Sequence, residues 1–145
     1  MPSPATTRPL PCLYVKSGVD LNGLTPAGAR ILAVVALAPL ALGFDITITC
    51  GKEGHTATDP HTLGAALDVR TVDLTPEQVL ALYKYCGGQL GSDFFTTLYE
   101  VPLHERPALP VELVDLVYTP SNPDAQHLHL QRRIGTAYPG TGQRV

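Results

Sequence analysis

Four residues have types and spacings suited to holding a metal ion. His61 and Asp68 lie seven positions apart in HTLGAALD, with Gly64 and Ala66 between them, and His127 and His129 follow near the C-terminal end in HLHL. If 65–71 is a strand and 61–64 the bend into it, Asp68 projects from one face and His61 folds back over that face. Glycine permits such a bend and Ala66 leaves the face uncrowded. At strand spacing, His127 and His129 project to one side while Leu128 and Leu130 enter a core. A catalytic zinc site takes three protein ligands and leaves a fourth position for water, a count met by His61, Asp68 and one of the HLH histidines. Two histidines and a carboxylate also suit non-heme iron(II). Asp68 stands in an otherwise apolar strand, where a carboxylate requires a partner to offset desolvation.

The elements that must position these residues can be read from periodicity and caps. LTPAGARILAVVALA sets Thr25 as N-cap and Pro26 at the first helical position, which predicts a buried helix ending near Pro39. DITITC (45–50) and AALDVRT (65–71) alternate at period two and predict two strands around the histidine loop. TPEQVLALYKYCGG repeats the helix-start pattern, with Thr75 and Gln78 as a capping box, and predicts a helix over 76–86 stopped by Gly87. Strand-like runs follow at 93–100, 112–119 and 127–133, separated by proline-rich connections. The sum is an α+β domain with a small, mostly antiparallel sheet and two main helices packed on it. Residues 1–12 read as a flexible arm, 13–135 as the domain and 136–145 as a tail.

Composition narrows the partners. The 145 residues carry a formal charge of −3 and scattered basic residues, without the positive patch of a nucleic-acid binder. The apolar run 31–44 is 14 residues long and holds Pro39, short of the roughly 20 that a membrane-spanning helix needs. It also begins too late for a signal peptide. Three cysteines, Cys12, Cys50 and Cys86, with no C-x-x-C spacing, read as small buried apolar residues.

HTLGAALD, the strand ITITCGKEGH before it and HLHLQ near the C-terminus resemble the zinc D-alanyl-D-alanine metallopeptidase family, whose metal site is shared by lysostaphin-type endopeptidases and the hedgehog signalling domain. The short phage and prophage members are the most similar, and the resemblance covers about residues 20–134. It implies Zn2+ held by His61, Asp68 and His129, and hydrolysis of an amide bond in peptidoglycan by an endolysin-like enzyme, a D,D-carboxypeptidase or L,D-endopeptidase. Such an enzyme, made without a signal peptide, acts on the cell wall after release by lysis or from a virion. The general base implied is Glu100, at the end of the strand FFTTLYE, or Asp124, five residues before His129. His127 would stand beside the metal and stabilise the oxyanion. His55 and Arg70 are the nearest cations for an anionic group of the substrate. Asp59 stands where family members usually have serine, and Ala65 where they often have arginine. A non-catalytic zinc domain of the same fold is the rival reading.

Overall fold

The structure is a computed structural model that describes residues 10–53, 59–99, 117–118 and 126–133. The arm up to residue 9, the tail from 134, and Glu100, Asp124 and His55 lie outside the described residues. Six strands, β1 (Leu13–Val15), β2 (Ile46–Cys50), β3 (Ala66–Arg70), β4 (Phe94–Tyr99), β5 (Val117–Tyr118) and β6 (His127–Arg132), form one sheet in the order β1-β2-β3-β6-β4-β5. The pairs β2–β3, β3–β6 and β6–β4 are antiparallel, and the outer pairs β1–β2 and β4–β5 are parallel. With helices α1 (Pro26–Leu42) and α2 (Pro76–Leu90), this is a mostly antiparallel α+β fold.

Strand alternation gives the sheet two chemically different faces. Leu67 and Val69 of β3, Leu98 of β4, and Leu128 and Leu130 of β6 are fully buried in one core with Ile31, Val35 and Ala38 of α1 and Val79, Leu82 and Cys86 of α2. The intervening residues, Asp68, Thr97, Tyr99, His127 and His129, project from the other face. Each buried leucine stabilises the fold by about 1.5–3 kcal/mol. A one-residue slip of β6 would exchange its leucines for its histidines, so core burial fixes the register that aims His129.

Both helices begin as their caps predict. The Thr25 hydroxyl accepts from the Gly28 N–H at 3.1 Å, and Thr75 and Gln78 complete a capping box. Their ends differ from the sequence reading. α1 runs through Pro39 to Leu42: the ring removes one intrahelical N–H, but Pro39 is buried and its own carbonyl accepts from Gly43, which closes the helix. It is also buried on one face only, since Leu37 and Leu40 are 59% and 60% exposed. α2 passes Gly87 and ends at Gly91, whose φ of 85° closes it, because Leu90 is buried one turn beyond Cys86. β1 is an element that alternation over three residues does not announce. Ile46 donates to the Cys12 carbonyl, and the Cys12 N–H donates to Asp45, so the sheet edge starts at the arm's last residue. Among the described residues no helix is long and apolar enough to cross a membrane.

Candidate metal centre

Cross-strand pairing places the site in one row. Cys50 of β2 stands opposite Asp68 of β3, Asp68 opposite His129 of β6, and His129 opposite Thr97 of β4. His61 reaches the row from the loop before β3. That loop is held by the N-terminus of α1, where the Gly64 carbonyl accepts from the Thr25 N–H at 2.9 Å and the Thr25 hydroxyl at 3.0 Å. Gly64 has φ of 77°, and a Cβ on it would lie 2.9 Å from the Gly23 carbonyl oxygen, so glycine is required here for conformation and for space. Asp59 fixes the start of the loop by accepting from the His61 N–H at 2.9 Å.

Three atoms converge. His61 Nε2 lies 3.2 Å from Asp68 Oδ1 and 3.2 Å from His129 Nδ1, and His129 Nδ1 lies 2.9 Å from the same Oδ1. Each imidazole is oriented by its other nitrogen. His61 Nδ1 donates to the Gly51 carbonyl at 3.1 Å, and His129 Nε2 donates to Gln131 Oε1 at 3.0 Å. With those nitrogens carrying the protons, neutral His61 and His129 turn lone pairs toward a carboxylate oxygen, and three acceptors meet with no donor among them. In that tautomeric state a proton or a metal ion completes the cluster. A tetrahedral ion with bonds of about 2.0–2.1 Å holds its ligand atoms about 3.3 Å apart, slightly more than the spacing found, so the donor set fits zinc in size and type.

Electrostatics agree with a cation-seeking cluster. Burial opposes ionisation of Asp68, but the hydrogen bonds and positive charge of His129 and His61 outweigh it and hold the carboxyl well below its usual range. Burial likewise opposes a charge on His61, and the Asp68 hydrogen bond and charge overcome it, raising His61 above its ordinary value. The second carboxylate oxygen, Oδ2, lies 3.6 Å from His127 Nε2, and the His127 ring stacks on Tyr99 with centroids 5.3 Å apart. His127 therefore stands beside the trio. Arg70 faces His127 across β3 and β6 but turns its guanidinium to Asp73 at 3.5 Å, as a partly exposed pair.

Cys50 is the residue that sequence reasoning misses. Its ligand atom, with one each from His61 and Asp68, forms a group within 4.8 Å of one another. Of the three cysteines only Cys86 is a buried apolar residue; Cys12 is exposed and Cys50 half-buried beside the site. The reason is a register shift. Ile48 pairs with Val69 and Cys50 with Asp68, so two residues of β2, Thr49 and Cys50, oppose one of β3. This bulge removes Cys50 from the core-facing series of Ile46 and Ile48 and turns it to the face of Asp68. Strict alternation in ITITC assigns it to the core, and no composition signal marks the bulge. Gly51, next in the chain, has no room for a side chain, since a Cβ would lie 2.2 Å from the Asp20 carbonyl oxygen.

No family model, curated protein or solved structure matches the chain. Cys50, His61 and Asp68 could hold a metal ion, and His129 closes on the same point.

Proposed function

We propose that this protein is a zinc-dependent peptidase that hydrolyses an amide bond in the stem peptides or cross-bridges of bacterial peptidoglycan. The observation that carries the reading is the convergence of His61 Nε2, Asp68 Oδ1 and His129 Nδ1 within 3.2 Å of one another on the sheet face opposite the core. The order of motifs, H-x-x-G-x-A-x-D before H-x-H, supports the choice of a peptidoglycan peptidase among zinc hydrolases.

Zinc, when bound, supplies a Lewis acid for the scissile carbonyl and brings the pKa of a water to about 7. The chain supplies the rest. Glu100 follows directly on Tyr99, the residue that packs against His127 and His129, and is the preferred general base; Asp124 is the alternative. His127 donates to the developing oxyanion from its place beside the carboxylate. Arg70, with His55, receives an anionic group of the peptide by exchanging its exposed contact with Asp73.

The test is digestion of purified peptidoglycan and soluble muropeptides by zinc-loaded protein, with products read by mass spectrometry. A metal-dependent fragment, absent after chelation and in His129→Ala, is expected. Glu100→Gln should keep one zinc per chain and lose turnover; full rate there, with loss in Asp124→Asn, would transfer the base to Asp124. A second reading, a non-catalytic zinc domain, is favoured by the fourth potential ligand at Cys50. It prevails if stoichiometric zinc is bound and no wall type yields a product.

A further inference from the structure

We infer that Cys50 is a fourth, displaceable ligand to the ion held by His61, Asp68 and His129, so that the resting site is closed by a thiolate. The inference deepens the metal-site reading and rests on it. Three observations carry it. The β-bulge between Ile48 and Cys50 turns the thiol to the Asp68 face, where strand alternation alone would bury it in the core. The thiol is placed with ligand atoms of His61 and Asp68 within 4.8 Å of one another. Its sulfur makes long contacts to the Gly51 carbonyl at 3.5 Å and the Glu53 carbonyl at 3.9 Å and a hydrogen bond to the Glu53 side chain, so the thiol is held beside the site by acceptors that a metal ion would replace.

The spacing also says which ligand leaves. Atoms of the His–Asp–His trio stand 2.9–3.2 Å apart, and both imidazoles are locked from behind by Gly51 and Gln131. The Cys50 thiol, hydrogen-bonded to the Gly51 and Glu53 carbonyls and to the Glu53 side chain, sits at the C-terminal end of β2, where exchanging those bonds for the ion brings its sulfur on and the reverse exchange takes it off. As the sulfur–metal bond forms, the S–H bond breaks and its proton passes to solvent. Four protein ligands make a closed site, and removal of the thiolate opens the one position that a hydrolytic centre needs. A thiolate in the set also selects a thiophilic ion such as zinc over magnesium or calcium.

Cobalt(II) is the probe, titrated into the metal-free full-length chain. A sulfur-to-cobalt charge-transfer band in the near ultraviolet is expected from the wild type, lost in Cys50→Ser while the visible ligand-field bands and one ion per chain remain. A ligand-field spectrum with no sulfur band overturns the inference and leaves the three-ligand site standing. Absence of cobalt binding, or binding unchanged in His129→Ala, overturns the metal-site reading itself.

Discussion

The Asp68 carboxylate is only 7% exposed and meets three imidazoles, His129 at 2.9 Å, His61 at 3.2 Å and His127 at 3.6 Å. Its burial is tolerable only because positive charge is at hand, and His61 gains its raised proton affinity from the same carboxylate. Asp68→Asn removes the anion while keeping the shape. The expected results are loss of the bound ion, a fall of the His61 pKa in chelated protein, read by NMR of the imidazole protons, and a cost of about 3 kcal/mol in metal-free stability. A His61 titration that did not move would detach it from Asp68. At this scale His61, Asp68 and one of the pair His127 and His129 are readable from residue type and spacing, because a carboxylate in an apolar strand demands a polar partner and two histidines at strand period share one face; the choice of His129 between them comes from the family resemblance alone. Cys50 is not, because a cysteine following Ile46 and Ile48 at period two is indistinguishable from core.

Elements place these residues by close approach as much as by strand geometry. A Cβ on Gly28, in the first turn of α1, would lie 2.0 Å from the Gly64 carbonyl oxygen, which the Thr25 cap grips from the same helix end. Gly28→Ala should therefore push the His61 loop from α1, cost about 1–3 kcal/mol and weaken zinc binding. Gly87→Ala is the contrasting case, since nothing lies within 4 Å of a Cβ there; it should raise stability by roughly 0.5–1 kcal/mol and leave metal affinity unchanged. Denaturant unfolding with and without zinc measures both, and equal metal affinity in the two variants would remove α1 from the site's support. Helix starts are readable because a Thr-Pro cap is local chemistry. The end of α2 is not, because Leu90 packing into the core overrides two glycines, and neither is β1, whose pairing with β2 is set by contacts distant in the chain.

Across the whole molecule the ion would join what the core leaves separate. Cys50, Asp68 and His129 come from three adjacent strands and His61 from the loop held by α1, all on the face opposite the hydrophobic core. Metal-free, His61, Asp68 and His129 are linked there by hydrogen bonds, and the direction of the pKa shifts sets how that linkage varies with pH. Asp68 and Glu53 are held below their ordinary values of 3.8 and 4.5, so their contribution is present above those values and lost as pH falls through the lowered ones. His61 is raised above 6.5, so its contribution is full below 6.5 and lost as pH rises through the raised value. Chelated protein should therefore be most stable between about pH 4.5 and 6.5 and weaken on the alkaline side. Zinc competes with the His61 proton, so its binding strengthens over the range where the metal-free form weakens. At free zinc 100 times Kd the gain is about 2.7 kcal/mol, or about 5–10 °C in Tm for a chain of this size. Thermal unfolding with and without chelator from about pH 5 to 9 should show the two curves separating as pH rises. Parallel curves would mean that the ion, if it binds, does not displace the proton of His61, and the His–Asp–His trio would lose its claim to be the metal site.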